Sequence, residues 1–409
     1  MKSAADNRAF HPRSASGWVS MDGSSPGKEA LEASERLIAR IREEMEDRGE
    51  ALGFDRYMEL ALYQPGLGYY AGGKSQFGTS GDFVTAPEIG ALFARCVAHQ
   101  CKQVLEPLNG GDVLEFGAGS GRLAADVLAE MQRLGRLPDR YRILELSAPL
   151  RERQRATLER AVPHLMDRVT WLNALPAEGL RGCVLANEVL DALPVRRFRR
   201  SGQGLEEQVV VADAGGLSLQ WRPADAGLAV AVDGIEQRIG RRLPDTYISE
   251  ICTLLPAWMQ ALADFLTQGA ALLVDYGYTG REYYRPERNG GTLLCHYRHR
   301  AHEDPLLWPG LCDITANVDF TAAAHAADDA GLQVAGFTTQ AFFLLGNGLE
   351  TLLQDSDPTD PAAHLPLVQE AKTLTLPGEM GERFKVLALT KDLAMPWPAF
   401  APADWRGRL

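Results

Sequence analysis

Val113-Leu114-Glu115-Phe116-Gly117-Ala118-Gly119-Ser120-Gly121 is the stretch on which the fold of this chain turns. A short apolar run ends in an acid, glycines follow at alternate positions, and the spacing from Leu123 to Met131 predicts a helix. Glycine lets the backbone turn sharply there and lets a ligand lie against it with no Cβ in the way. In open α/β sheets the crevice outside the carboxyl end of such a strand is where nucleotides bind. Dinucleotide sites favour G-x-G-x-x-G, whereas this loop reads G-x-G-x-G behind Glu115. A carboxylate at the strand end suits a ligand with an amino group and a cationic centre, a description that fits S-adenosylmethionine. A tight turn without a ligand is the alternative for the loop taken alone.

The strand tips that follow strengthen the ligand reading. Arg142 to Ser147 predicts a second strand with Glu145 and Leu146 at its tip, and an acid about twenty residues beyond a glycine loop can accept from both ribose hydroxyls. Val169 to Ala174 predicts a third strand, whose tip at Asn173 and Ala174 would meet the adenine ring. Cys183 to Glu188 predicts a fourth, bringing Asn187 and Glu188 over the reactive end. Glu115, Gly117, Ala118, Gly119 and Gly121 complete this expected cofactor set.

At 409 residues the chain can hold one large α/β domain with additions, or two domains. Its 42 basic and 54 acidic side chains give a net charge of −12, which disfavours a general nucleic-acid binder and suits a cationic partner or a solvated acidic surface. Six scattered cysteines without a C-x-x-C pair read as reduced, mostly buried thiols. No run approaches the ~18 apolar residues of a membrane helix, and the first residues lack the apolar region of a secretory signal. The expected compartment is the cytoplasm, or the mitochondrial matrix for a eukaryotic source.

Residues 1–28 are expected to be a disordered tail, and residues 29–108 a cap that starts with an amphipathic helix from Glu29 to Arg48. The cap carries a long glycine- and aromatic-rich loop, in which Gly81 and Asp82 are candidates to fold over the cofactor. Pro87 is expected to start one helix running through Ile89 to Leu105. Residues 109–194 read as the cofactor-binding core and 195–250 as a β-rich insertion, including β-like runs at Gln208 to Trp221 and Ala229 to Val232. Residues 251–395 complete the sheet, with a polar excursion over 279–318 and a closing hairpin from Val334–Thr339 and Phe384–Thr390; 396–409 form a C-terminal tail.

Three motifs are more particular than the glycine loop: Tyr63-Gln64-Pro65-Gly66-Leu67-Gly68-Tyr69-Tyr70, the block Ser80 to Ile89, and Ala186-Asn187-Glu188-Val189-Leu190-Asp191-Ala192-Leu193-Pro194-Val195. On these the chain resembles the MidA family of S-adenosylmethionine-dependent methyltransferases over roughly residues 50–390. The resemblance implies a class I, Rossmann-like methyltransferase sheet with helices on both faces. For the family's mitochondrial members, which act as complex I assembly factors, it implies symmetric dimethylation of a protein arginine on a complex I subunit. A protein substrate, with a respiratory NADH dehydrogenase subunit as one candidate, is therefore the expected partner; a second copy of the chain is another.

An arginine guanidinium stays protonated and is a poor nucleophile. A site that methylates it needs carboxylates to hold the planar fork and accept the departing proton. Glu188 and Asp191, three residues apart past the fourth strand, are the expected catalytic pair, with Asp82 as a third candidate. Each has a bland alternative: a helix cap for Glu188, an ordinary turn former for Asp191 and Asp82. Tyr63, Tyr69, Tyr70 and Phe83 can wall a cation or serve as core, and core is expected of at least two. His296, His299 and His302 invite a metal reading, but Arg298 and Arg300 between them argue for a solvated or substrate-contacting loop. Family members often carry histidine where Asn317 stands, and a helix-capping role is expected for this asparagine. The remaining alternatives are methylation of a small molecule, a cofactor-binding assembly factor without catalysis, and a nicotinamide-dependent oxidoreductase.

Overall fold

The computed structural model describes residues 25–72, 85–354, 356–357 and 359–409. Its frame is a seven-stranded sheet of β1 (Asp112–Phe116), β2 (Tyr141–Leu144), β3 (Val169–Leu172), β4 (Leu180–Asn187), β5 (Leu266–Tyr278), β6 (Gln333–Thr339) and β7 (Phe384–Lys391). The order across the sheet is β6-β7-β5-β4-β1-β2-β3; a two-residue strand, Val318–Asp319, also pairs with the end of β5. Strands β1 to β5 run parallel, while β7 is antiparallel to both its neighbours, β5 and β6. The expected hairpin therefore exists, but its second strand inserts into the sheet instead of closing its edge.

Alternate residues of the central strands feed two separate cores. Val113, Cys183, Leu185, Val386 and Ala388 pack on one face, and Leu114, Val184, Ala186, Leu387 and Leu389 on the other. Both faces are thus dry, which explains why these strands read as continuous apolar runs. The chain order reverses between β1 and β4, and in such sheets the carboxyl ends at that switch open a crevice.

The chain between β4 and β5 builds a second sheet from Arg196–Ser201, Gly204–Asp213, Gly216–Pro223 and Ile248–Ile251, joined by Leu52–Gly53 from the cap. The expected β-run at Ala229 to Val232 is instead part of the helix Ala226–Ile239. Asp225 caps it by accepting from the Leu228 amide at 2.7 Å, and Leu228, Val232, Ile235 and Ile239 form a buried stripe at helical spacing. The single helix expected from Pro87 is two, Ala86–Ile89 and Leu92–Leu105. The Glu370 carboxylate separates them: it accepts from the Leu92 amide at 2.6 Å and fills the space a side chain at Gly90 would need.

The excursion after β5 holds a three-stranded sheet of Leu294–Tyr297, Arg300–His302 and Asp313–Thr315. Cap, insertion and excursion meet in one apolar cluster, where Tyr57, Leu62 and Tyr69 pack with Ala192, Val210 and Ile314. That packing is what brings cap and excursion to the crevice. Among the described residues no helix is long and apolar enough to cross a membrane. Of the expected tail, residues 1–24 lie outside the described residues, as does the 73–84 stretch that holds Gly81, Asp82 and Phe83.

Candidate active site

A cleft of about 1300 Å³ opens at the carboxyl ends of β1 and β4. One half is the glycine turn and the tip of β2; the other is an acidic chamber roofed by the cap and the excursion.

In the first half, Gly117, Gly119 and Gly121 have φ of 59°, 51° and 82°, a region that side-chain-bearing residues avoid. A Cβ on Gly121 would also sit 2.9 Å from the Gln154 Cα on the facing helix, Ala148–Ala161. Glu115 is only 2% exposed and accepts from the Tyr141 hydroxyl at 2.7 Å. Burial pushes its carboxyl up to about 7, against the pull of that hydrogen bond. Ser120 donates to Glu88, so the short helix after the 73–84 stretch is tied to the glycine turn.

Glu145 follows β2, where its carboxylate accepts from the Ser147 amide at 2.9 Å and from Gln154 Nε2 at 3.0 Å. Gln154 also donates to the Gly119 carbonyl at 3.2 Å and accepts from Trp171 Nε1 at 2.9 Å, joining the glycine turn, the acid and β3. The sequence reading missed this residue. Its signal was a glutamine on the stripe shared with Leu150 and Leu158, four residues to either side, where an apolar residue belongs. Leu146 beside Glu145 is 78% exposed and lies on the cleft wall, an apolar surface suited to a ring. Asn173 and Ala174 are exposed past the end of β3 and are not part of the cleft wall.

The second half gathers acids from two segments, the turn after β4 and the excursion. Glu188, just past β4, has φ 53°, a left-handed geometry unusual for a side-chain-bearing residue. Such strain persists only where the surroundings enforce it and clusters at working sites. Asp275 on β5 helps to hold the turn, accepting from the Leu190 and Asp191 amides at 2.9 and 3.2 Å. No helix follows Glu188, so the helix-cap alternative fails. Asp191 is 5% exposed; Tyr276 donates to its Oδ2, while its Oδ1 is buried without a hydrogen-bond partner among the described residues.

Asp313, from the excursion, accepts from the Tyr70 hydroxyl at 3.0 Å. Tyr63 and Tyr70 stack with centroids 5.6 Å apart, and Tyr63 donates to the Ala192 carbonyl at 2.9 Å. Of the tyrosines considered as core, only Tyr69 is buried; Tyr63 and Tyr70 face the cleft. Desolvation and the charge of Asp191 push Glu188 up to about 8, with Asp313 adding to the rise and Asn187 opposing it. Desolvation likewise raises Asp191 to about 6, against the Tyr276 hydrogen bond.

The other candidates separate. His296 is on the cleft wall, whereas His299 lies in the turn between two short strands, and among the described residues no cluster of three ligands that could hold a metal is formed. The capping role expected of Asn317 belongs to Asp319, whose carboxylate accepts from the Thr321 and Ala322 amides at 3.1 Å. Asn317 faces the cleft instead, its backbone N–H donating to Thr292 Oγ1 at 2.9 Å.

These residues fit an adenosyl sulfonium. The left-handed glycines leave a cradle without Cβ atoms, Glu145 is anchored beside an uncovered leucine, and two buried acceptors, Asn187 Oδ1 and Asp191 Oδ1, have no partner among the described residues. Comparison with known proteins agrees. The model of a family of S-adenosyl-L-methionine-dependent methyltransferases matches residues 92–338. Protein arginine methyltransferase NDUFAF7, mitochondrial, from Mus musculus is 31% identical over 362 residues, covering 81% of this chain and 79% of that protein. Its homolog from Drosophila melanogaster is 29% identical over 409 aligned residues, covering 89% and 88%. A crystal structure of a superfamily member from Burkholderia thailandensis, bound to S-adenosyl-homocysteine, superposes with a TM-score of 0.89 at 42% identity, covering 94% of this chain and 99% of that one.

Proposed function

The chain belongs to the S-adenosyl-L-methionine-dependent methyltransferase family, and from that premise we propose that it methylates a guanidino nitrogen of a protein arginine. The observation that carries this reading is the acidic chamber facing the glycine turn, where Glu188 stands beside a buried Asp191 oxygen that has no partner among the described residues. A guanidinium is the cation whose planar fork such carboxylates hold best. The NDUFAF7 proteins, named as protein arginine methyltransferases, support the same acceptor. A respiratory NADH dehydrogenase subunit is the first acceptor to test, and the cytoplasm the compartment we infer.

S-adenosyl-L-methionine supplies an electrophilic methyl on a sulfonium. In this reading Gly117, Ala118 and Gly119 line the methionine end, Glu115 and Asn187 flank it, and Glu145 with Leu146 takes the ribose and adenine. Asn173 and Ala174, outside the cleft wall, are left out of this reading, and Gly81 and Asp82 remain candidates from the 73–84 stretch. Glu188 and Asp191 orient the acceptor, and Glu188 takes the proton the nitrogen must lose as its new bond to carbon forms.

Replacing Glu145 with alanine removes the sugar's acceptor and one of the three hydrogen bonds of Gln154. Affinity for S-adenosylhomocysteine should fall roughly ten- to a hundred-fold, the usual worth of hydrogen bonds to a charged group. Calorimetry measures it, and an unchanged affinity would remove Glu145 from the site.

The function is tested by incubating the protein with methyl-labelled cofactor and whole lysate, then hydrolysing the labelled material. Label is expected in methylarginine from protein; label confined to small metabolites discards the proposal. The acids add a pH signature. Glu188 and Asp191, raised to about 8 and 6, are protonated below those values and can neither hold a cation tightly nor accept its proton. The rate should therefore climb between pH 6 and 8, by roughly fifty-fold, and a flat profile would count against Glu188 as base.

A further inference from the structure

Three carboxylates, not two, face the acceptor half of the cleft, and the third comes from a part of the chain far from the others. Asp313 is 1% exposed and opens the short strand Asp313–Thr315. It sits directly opposite His296 on the antiparallel neighbour Leu294–Tyr297. Opposed residues of such a pair point to the same face, and both belong to the cleft wall. The hydroxyl of Tyr70, 243 residues earlier, donates to Asp313 Oδ1 and fixes the carboxylate. The charge of Asp313 acts on Glu188, Tyr63 and Tyr70, which places all four in one electrostatic neighbourhood.

A cluster of acids alone would show only a cation-friendly surface. The buried Oδ1 of Asp191 in the same wall has no hydrogen-bond partner among the described residues. It is therefore open to a donor carried by what binds there. An ammonium is a compact charge that one or two carboxylates can satisfy, and acids around it keep it protonated and without a lone pair. A guanidinium spreads its donors along more than one edge of a plane, so a carboxylate on a single side leaves donors unpaired. It can also lie flat against an aromatic wall such as the Tyr63–Tyr70 stack.

We infer that Asp313, steadied by Tyr70, is the carboxylate that selects a guanidinium over an ammonium in the acceptor half, meeting an edge of the fork other than the one held by Glu188 and Asp191. The inference rests on the arginine reading above and adds to it a specificity residue contributed by the excursion.

The test uses the full chain loaded with S-adenosylhomocysteine, with butylguanidine as the probe and pentylamine as its ammonium counterpart, both followed by calorimetry. The native protein should prefer butylguanidine by roughly ten-fold or more, the worth of one charged hydrogen bond. Asp313→Asn should reduce that preference to about two-fold or less while leaving S-adenosylhomocysteine affinity in place. Tyr70→Phe keeps the ring and removes the hydroxyl, so the ratio should move the same way by a smaller factor. Native selectivity in Asp313→Asn would overturn the inference and leave the arginine reading standing. No preference in the native protein would overturn both. If Asp313→Asn cannot hold S-adenosylhomocysteine, Tyr70→Phe decides, and an unchanged ratio there is fatal.

Discussion

Glu188→Gln should lower methyl transfer by roughly a hundred- to ten-thousand-fold, the range a positioned general base contributes. The substitution keeps the size of the side chain and a carbonyl oxygen for the Asn187 amide, which donates to Glu188 Oε1 at 3.2 Å. It removes the carboxylate, and with it the side chain's capacity to take a proton. Affinity for S-adenosylhomocysteine should stay within about three-fold, because the residues proposed to hold the nucleoside lie across the cleft. The climb in rate between pH 6 and 8 should flatten in the same variant, since the acid raised to about 8 is gone. Activity within ten-fold of native, with binding intact, would transfer the base role to Asp191 or Asp313. Loss of both activity and every cofactor interaction would instead mark Glu188 as a support of the fold.

Gly121→Val should cost about 3 kcal/mol or more of stability and reduce S-adenosylhomocysteine affinity at least a hundred-fold. Two effects add. A β-branched residue at φ 82° pays roughly 1–2 kcal/mol in backbone strain. Its Cβ must also find room 2.9 Å from the Gln154 Cα and 3.1 Å from the Gln154 carbonyl oxygen, atoms of a helix backbone that cannot swing aside. Moving that helix pulls Gln154 away from Glu145 and from the Gly119 carbonyl together, so the glycine turn and the acid after β2 lose their shared brace. Gly117→Ala is the control. It carries strain at φ 59° but meets nothing closer than Val189 Cγ2 at 3.9 Å, so its cost should be about 1 kcal/mol. Urea midpoints and calorimetry separate the two variants; equal losses would show that strain alone matters and that the helix contact does not.

Local rules served the reading where the answer was local. The run before Gly117 reads as a strand because its residues are apolar on both faces, and two cores do cover those faces. The run at Ala229 to Val232 was misread because four apolar residues suit either period. The arbiter was the spacing continued to Ile235 and Ile239, together with the Asp225 cap. The break at Gly90 had no local sign, since it depends on a carboxylate 280 residues away in sequence. Gln154 could have been found from its place on an apolar stripe, whereas nothing near Asp313 marks it as facing Glu188.

What the sequence determined unaided is the sheet and the glycine turn at its switch point. These follow from side-chain periodicity and from backbone angles only glycine takes easily, properties each residue carries wherever it is placed. The tertiary structure alone decided which acids share a chamber. Tyr70 reaches Asp313, and Asp275 holds the Glu188 turn, because cap, core and excursion bury a common apolar cluster. Contacts between segments so far apart are fixed by how separate surfaces exclude water together, and no local pattern encodes that.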